Sequence, residues 1–433
     1  MFSFKCSGLK LETRKTRNSK LSKVLPPDYD LFQSGICVRT DTSSNRAASP
    51  QPLHVEAAVK QRYSAAANAR VGALCCAVEY DRRYLKVIPS EVLERDYGCG
   101  DPSKHLHPGE TCLDLGSGGG KMCFIASQVV GREGRVIGVD MNEEMLALAR
   151  KHQRAVGDAI GWHNVEFRKG RIQDLALDLE RLEEALRAHP IDSAERFLSV
   201  ESLADQLRVT HPLIISDSID VVMSNCVLNL VAPRAKADLF SEIFRVLKNG
   251  GRAVISDIVS DEAVPEALQN DPELWSGCIS GALTEEGFLR AFAQAGFYGI
   301  QILKRDEAPW RTVAGIEFRS YTIEAFKGKQ GPCFELNHAV IYKGPFREIS
   351  DDDGHRFERG RRQAVCDRTY QLLKRQPYRE HFEFIEPRAE IPMEQAKPFL
   401  SDGVRPRHPR ETKGQDYPAT TEASGCCDRG NCS

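Results

Sequence analysis

Thr111-Cys-Leu-Asp-Leu-Gly-Ser-Gly-Gly-Gly-Lys121 reads as a short buried strand, Thr111–Leu115, that runs straight into a glycine turn. A helix over Met122–Val130 follows. A strand turning through glycines into a helix gathers unsatisfied backbone N–H groups at the helix start, and glycine there permits positive φ and close approach of a ligand. Outward from this turn the same alternation repeats. Arg135–Asp140 is a second strand, and Glu143–Ala155 is a helix with Met145, Leu146 and Leu148 turned inward. Val165–Arg168 and Ile219–Ser224 are the third and fourth strands. A helix over Leu239–Leu247 stops before Gly250-Gly251, and Arg252–Asp257 is a fifth strand. Strands alternating with helices specify an α/β fold, with a mostly parallel sheet covered on both faces.

The flanks read differently. Residues 1–54 mix Ser, Thr, Asn, Pro and charge without periodicity, a disordered N-terminal extension. Order begins where Val55, Val59 and Tyr63 share one helical face, leading to Cys75-Cys76. A second helical stretch, from Pro89 through Leu93, ends at Tyr97-Gly98-Cys99-Gly100. Between the third and fourth strands lies a long connection, 173–218, where Leu175, Leu179, Leu182 and Leu186 make an amphipathic helix; it reads as a surface insertion. Beyond Trp310 the alternation ends. Strands are expected at Glu317–Ala325 and Ala339–Lys343, so the main domain is placed at 55–305 and a small α+β C-terminal accessory domain at 306–390. A flexible tail, 391–433, carries Cys426, Cys427 and Cys432.

Composition narrows the function. The 433 residues suffice for two domains plus tails at ~100–200 residues per domain. Basic and acidic side chains nearly cancel, 59 against 61, which gives no chain-wide bias toward nucleic acid or an anionic membrane. No apolar run approaches the ~18 residues of a membrane helix. The 14 cysteines do not form the framework of a small secreted protein, and residues 1–25 lack the apolar segment of a signal peptide, so a reducing, cytoplasmic setting is expected. Lys5–Lys23, with seven basic residues and only Glu12 as an acid, reads as a basic tail, with an organellar transit segment as the alternative.

Nicotinamide, flavin and S-adenosylmethionine enzymes all use a glycine loop of this kind. Here the spacing is Gly116-x-Gly118-x-Gly120 after Asp114, not Gly-x-Gly-x-x-Gly, which favours S-adenosylmethionine. Asp140 closes the second strand where a carboxylate can accept both ribose hydroxyls, a detail that suits a nicotinamide dinucleotide equally. Asn225 ends the fourth strand at the carboxyl edge, where open α/β sheets bind ligands.

Most cysteines are small buried hydrophobes. Cys112 and Cys123 fall in the first strand and the following helix. Cys333 and Cys366 show no partner pattern, and Cys6 lies in the extension; none of these five is assigned a role. Cys226 differs because it follows the fourth strand at the edge facing the cofactor crevice. Cys278 lies in Leu274-Trp-Ser-Gly-Cys-Ile-Ser-Gly281 beyond the fifth strand, and Cys99 lies between two glycines ahead of the sheet.

Tyr-Gly-Cys-Gly at 97–100, Asp-Leu-Gly-Ser-Gly-Gly-Gly at 114–120 and Ser-Asn-Cys-Val-Leu-Asn-Leu at 224–230 occur in this order. Arg-Val-Leu-Lys-Asn-Gly-Gly-Arg at 245–252 and Leu-Trp-Ser-Gly-Cys-Ile-Ser-Gly-Ala-Leu at 274–283 follow. Together they resemble the S-adenosylmethionine-dependent arsenite methyltransferase family, over about residues 55–305. The resemblance implies a class I methyltransferase fold, Rossmann-like, and places Cys226, Cys278 and Cys99 as thiolate ligands of the arsenic(III) substrate. A fourth family thiol follows a helix resembling Val59-Lys-Gln-Arg-Tyr-Ser64, which points to Cys75 or Cys76, Cys75 preferred, while Cys37 precedes that helix. The cofactor shell is expected at Asp114, Gly116, Ser117, Gly118, Gly120, Asp140, Met141, Arg171, Ile172 and Asn225. Lys121-Met122 stands where the family often has Arg-Asp.

The implied reaction needs no base, because trivalent arsenic keeps a lone pair that can attack a methyl group. Thiolates are its ligands. Tyr97 and Trp275 are candidate pocket walls. A thiol reductant, thioredoxin or glutathione, is expected as co-substrate. Arsenite, methylarsenite or their glutathione conjugates are the expected substrates, the chain acting as a monomer in detoxification. Cys75 or Cys76 is expected to form a disulfide with Cys99 during turnover. The rival readings are a methyltransferase for another metalloid or a small organic acceptor, and a non-catalytic metalloid-binding protein.

Overall fold

The computed structural model describes residues 55–68, 78–400, 405–414 and 417. Cys6, Cys37, Cys75, Cys76, Cys426, Cys427 and Cys432 lie outside the described residues. Around the glycine turn, β1 (Thr111–Leu115) pairs in parallel with β2 (Arg135–Asp140) and with β4 (Ile219–Asn225). β2 pairs in parallel with β3 (Val165–Lys169), and β4 with β5 (Leu247–Ser260). β6 (Leu283–Thr284), β7 (Tyr298–Arg305), β8 (Arg311–Val313) and β9 (Ile316–Phe326) complete a nine-stranded sheet whose main order is β3-β2-β1-β4-β5-β9-β7. β9 runs antiparallel to β5, β7 and β8. This is the class I S-adenosylmethionine methyltransferase arrangement.

Successive strand residues face opposite sides, so each strand feeds two cores. Leu113 and Leu115 join one with Val222, Ile255 and the helices Lys236–Val246 and Glu285–Gln294. Cys112 joins the other with Val221, Met223, Val254 and the helices Lys121–Val130 and Glu143–Ile160. Phe240, Phe288, Phe292 and Phe297 meet edge to face at 4.8–5.6 Å in the first core, and each buried ring of this size contributes about 1.5–3 kcal/mol.

Three expectations change. Ile316–Phe326 is a strand, as the sequence indicates, but it lies inside the main sheet and not in a body beginning at residue 306. An antiparallel strand needs no crossover helix, so the end of strand–helix alternation did not mark the end of the sheet. The 173–218 insertion holds two helices, Leu179–Ala188 and Ala194–Thr210, capped by Asp178 and Ser193. Finally, part of the stretch read as tail is built into the C-terminal region. Strand Lys397–Pro398 pairs with Phe334–Glu335, and the fully buried Arg407 side chain bonds Glu335 at 2.6 Å and Glu411 at 2.7 Å.

The C-terminal region has its own three-stranded sheet, with Ala339–Tyr342 between Arg362–Ala364 and Phe382–Ile385. Its apolar core takes in Tyr298 of β7 and Phe326 of β9, so it is packed onto the edge of the main sheet. Among the described residues no helix is long and apolar enough to cross a membrane.

Candidate active site

A cleft of about 1060 Å³, open to solvent, lies at the carboxyl ends of β1, β2 and β4, the edge where parallel sheets bind ligands. Gly116 and Gly118 sit at φ +71° and +49°. A Cβ on Gly116 would come within 2.4 Å of Val227, whereas one on Gly118 would meet nothing within 4 Å and would project into cleft space. The Gly118 N–H donates to Asp140 Oδ2 and the Asn142 N–H to Oδ1, both at 2.8 Å. The Met141 N–H adds a third backbone donor, which still leaves the carboxylate acceptor capacity for a hydroxyl. Burial pushes the Asp140 carboxyl up, against the pull of those amides. Asp114 is buried more completely, takes a hydrogen bond from Cys123 Sγ at 3.2 Å, and is pushed by burial up to about 7. Ser117 Oγ is buried at the cleft with no hydrogen-bond partner.

These features fit a nucleoside-bearing cofactor: an unused hydroxyl, a carboxylate with spare acceptors, and a side-chain-free backbone facing the cavity. Met141 and Ile172 line the same cleft. Two expected members do not. Gly120 caps the helix Lys121–Val130, where a Cβ would strike Phe167 at 2.7 Å. Arg171 turns to Glu56 at 2.9 Å. Lys121 pairs with Asp96 at 2.7 Å and lies 3.5 Å from the Tyr80 ring centroid, while Met122 takes the place on the cleft.

The helix Val55–Asn68 forms a roof. Glu56 is held by Arg171 and by Gln173 at 3.0 Å, and Ser64 by Asn142 at 3.0 Å and Glu144 at 2.9 Å. Arg62 reaches the carbonyl of Glu273 and the hydroxyl of Ser276, both at 2.8 Å. This single element therefore ties the end of β2, the insertion and the Cys278 segment together. It delivers Val59 and Lys60 to the cofactor side, and Tyr63 to the thiols.

Cys226 lines the cleft, and behind it the three cysteines expected from the sequence are buried in one apolar cluster with Ile258, Ile279 and Phe318, Cys99 and Cys278 lying outside the cleft lining. The Sγ atoms of Cys99 and Cys226 and a carboxylate oxygen of Asp257 lie within 4.8 Å of one another. The Cys278 thiol donates to the Cys226 carbonyl at 3.3 Å. Tyr63, Cys278, Cys226 and Cys99 make a continuous line of side-chain contacts. The Cys99 thiol and burial hold Cys226 well above the usual thiol range, against the pull of Cys278, and the Cys226 thiol and burial do the same for Cys278.

Local backbone shapes this cluster. Cys226 and Cys278 have φ of +65° and +62°, a left-handed conformation that costs a non-glycine residue roughly 1–2 kcal/mol and concentrates at functional sites. Asn225 is more than a cleft wall. Its Oδ1 accepts the N–H groups of Cys99 and Gly100 at 2.8 and 3.0 Å, and its Nδ2 donates to the Gly100 carbonyl at 2.7 Å. The loop can approach so closely because Gly98 has no Cβ, which would fall 2.2 Å from Asn225 Nδ2. The fourth strand thereby positions Cys99 through Asn225 and Cys226 by its own next residue.

Sequence reasoning missed Tyr63 as a contact of the thiols; its place on the Val55/Val59/Tyr63 face looked like core packing. It also missed Asp257 and Lys236. Asp257 accepts from the N–H groups of Leu228 at 2.8 Å and Ile258 at 2.7 Å, and burial raises it to about 6. Burial lowers Lys236 to about 8, its ammonium donating to the Leu228 carbonyl at 2.9 Å. Both brace the turn after Cys226. Tyr97 lines the cleft, whereas Trp275 is buried away from it, with its indole N–H on the Leu230 carbonyl at 3.3 Å.

Residues 106–296 match a family model described as a methyltransferase domain, and residues 329–417 one described as a domain of unknown function (DUF8838). An arsenite methyltransferase of Aquipseudomonas alcaligenes is 33% identical over 327 residues, 72% of this chain and 84% of the relative. The arsenite methyltransferase of Mus musculus is 29% identical, over 82% of this chain and 89% of its own. The crystal structure of an arsenic(III) S-adenosylmethionine methyltransferase from Chlamydomonas reinhardtii aligns over 77% of this chain and 100% of its own, at 27% identity and a TM-score of 0.48. One third identity across most of both chains, in the first of these relatives, establishes that this chain belongs to the arsenite methyltransferase family.

Proposed function

We propose that this enzyme transfers a methyl group from S-adenosylmethionine to arsenic(III) held by Cys226, Cys278 and Cys99. The observation that carries the assignment of the site is the burial of these thiols, from three separate segments, in one cluster that reaches, through Cys226, the cleft lined by the glycine loop.

Arsenous acid brings its own proton acceptors. Each As–OH bond that breaks takes the proton of an incoming thiol and leaves as water, and an As–S bond forms. Thiols held protonated by burial therefore need no separate base. Once bound through sulfur, arsenic retains its lone pair. S-adenosylmethionine supplies a methyl group on a positively charged sulfonium. Asp140 and Ser117 would hold the nucleoside against the side-chain-free backbone of Gly116 and Gly118; Tyr97, Met122 and the roof helix wall the space between it and the thiols. What the chain contributes is alignment of the reacting atoms to ~3–3.5 Å and exclusion of water.

Methylation takes arsenic from the trivalent to the pentavalent state, so a further round requires two electrons. Thioredoxin or glutathione would supply them, through a disulfide between Cys99 and Cys75 or Cys76. Arsenite, methylarsenite or their glutathione conjugates are the substrates of this scheme.

The test is direct. Purified protein incubated with S-adenosylmethionine, arsenite and a thiol reductant should yield methylated arsenicals on chromatography, and Cys226→Ser and Cys278→Ser should each yield almost none. Full activity in either variant would overturn the ligand assignment. Multi-turnover methylation that survives in the Cys75→Ser/Cys76→Ser double variant would remove the proposed disulfide step.

A further inference from the structure

Asp257 is 1% exposed, and its carboxylate ends among sulfurs. One of its oxygens and the Sγ atoms of Cys99 and Cys226 lie within 4.8 Å of one another. The N–H groups of Leu228, Ile258 and Asn229 hold the carboxylate, fewer donors than the roughly four it can accept. A hydrogen-bonded carboxylate of this kind is an oriented ligand. Cys278 stays outside the trio, its thiol donating to the Cys226 carbonyl at 3.3 Å. Cys226 also lines the open cleft, the side from which a ligand arrives.

We propose that Cys99, Cys226 and Asp257 form a binding site for a thiophilic divalent cation of the zinc type, with a fourth position left to water. Bonds of ~2.3 Å to sulfur and ~2.0–2.2 Å to oxygen, arranged tetrahedrally, separate ligand atoms by about 3.5–3.8 Å. The trio already lies close to that spacing. Three protein ligands and one open position make an exchangeable site, not a closed structural one. Soft thiolates select such an ion over magnesium or calcium. Charge balances as well. Two thiolates and a carboxylate are offset by the dication and the ammonium of Lys236, which faces Asp257 and donates to the Leu228 carbonyl at 2.9 Å. Both thiols release their protons to water as they ligate, driven by the cation, and no electrons move. Arsenic(III) takes Cys278 where zinc takes Asp257, so the two exclude each other through Cys99 and Cys226. That exclusion rests on the proposed arsenic ligands; the cation site itself does not.

The full-length protein, reduced with a phosphine and freed of metal, is titrated with zinc against a chromophoric chelator, without arsenite or cofactor. X-ray absorption of the parent at one equivalent should show zinc bound by two sulfurs, those of Cys99 and Cys226, and otherwise by oxygen. Cys99→Ser, Cys226→Ser and Asp257→Asn should each weaken zinc binding at least about tenfold, since even the loss of an outer-shell partner costs about 10–100-fold. Cys278→Ser should bind zinc as the parent does. Circular dichroism accompanies every variant, and the sulfur count in the parent decides alone if Asp257→Asn does not fold. Three or more sulfurs around zinc, undiminished affinity in folded Asp257→Asn, or loss of the site in Cys278→Ser would overturn the proposal. Arsenite added to the zinc-loaded parent should release the ion to a zinc-sensitive dye. Zinc that stays bound while methylation proceeds would overturn the shared ligands. Zinc bound as described in a protein that arsenite neither strips nor turns over would instead uphold the cation site and sink the arsenic assignment.

Discussion

On the cofactor side of the cleft the ligand-facing groups come from one continuous stretch, Asp114 to Gly118, together with the end of β2, and much of that surface is glycine backbone. On the thiol side they come from Cys99, Cys226 and Cys278, carried by a pre-sheet loop, the turn after β4 and the turn after the helix Pro272–Ser276. The first side uses glycine wherever φ is positive; the second places cysteine in the same backbone region at Cys226 and Cys278 and bears the strain. A backbone site is insensitive to side-chain chemistry but sensitive to any added Cβ. A thiol site assembled from remote segments is sensitive to both the atom presented and every contact that aims it.

The largest effects should therefore fall on the thiol side. Replacing Cys226 by glycine removes a ligand while suiting the backbone. Methylation should fall at least about a hundredfold, the cost of displacing a reacting atom by ~1 Å. Stability should move the other way: at ordinary positions glycine is roughly 0.5–1 kcal/mol worse than alanine, but at φ +65° Cys226→Gly should melt no lower than Cys226→Ala. A clear thermal advantage for alanine would mean that φ at this position is not a strain the function imposes. On the cofactor side, Gly118→Ala meets no neighbour within 4 Å but places an alanine at φ +49°, so it should keep the fold at a cost of roughly 1–2 kcal/mol. It should nonetheless weaken S-adenosylmethionine binding by about tenfold, equivalent to about 1.4 kcal/mol. Calorimetric titration of the cofactor in the absence of arsenite gives the number, and undiminished affinity would remove Gly118 from the binding surface.

Asn225 belongs to both sides and can show how far they are separate. It lines the cofactor cleft and also holds the Cys99–Gly100 backbone through three hydrogen bonds. Asn225→Ala leaves buried amide groups unpaired, at about 1–3 kcal/mol each, and frees the Cys99 loop. The arsenite concentration for half-maximal rate should rise several-fold more than the dissociation constant for S-adenosylmethionine. If both constants rise equally, Asn225 acts on the cofactor and its bonds to the loop are incidental.

The same contrast governs what could be read from the sequence. The cofactor side was legible because its residues are contiguous, and because glycine spacing and a strand-terminal carboxylate have local physical causes. β1 to β5 were found for the same reason: short apolar runs bounded by glycine and helix signals. β7 was not found, since its pairing with β9 shifts register twice and its sequence, Tyr298–Arg305, has only a weak apolar alternation. β9 was found but misplaced, since nothing local says which sheet an antiparallel strand will enter. Cys226 could be placed at the sheet edge from its position after β4, but its meeting with Cys99 and Cys278 is a tertiary fact that only the family resemblance anticipated. Tyr63, Asp257 and Lys236 stayed hidden because single polar residues on apolar elements look like ordinary packing. Arg407 was lost in a polar, proline-rich stretch whose composition conceals one buried guanidinium.

The smallest expected effect tests the cofactor side through its proton balance. Asp114 has an ordinary carboxylate value near 3.8 when unfolded, and is pushed by burial to about 7 in the folded chain. Between those values the folded protein holds a proton that the unfolded chain has released. Stability must therefore fall as pH rises through that window and level off above it. A carboxamide at this position is neutral at every pH, so Asp114→Asn should flatten this part of the curve. The melting temperature of the variant, measured without cofactor, should drop less between about pH 5 and pH 8 than that of the parent protein. Protonated Asp114 also accepts the Cys123 thiol bond, which an amide oxygen reproduces, so the comparison at the acidic end isolates the charge from the contact. Parallel melting curves for the two proteins across this range would show that Asp114 is already ionised in the folded state. The acidic residue at the end of β1 would then be a resident negative charge beside the glycine loop, and the cofactor side would share with the thiol side a dependence on side-chain chemistry.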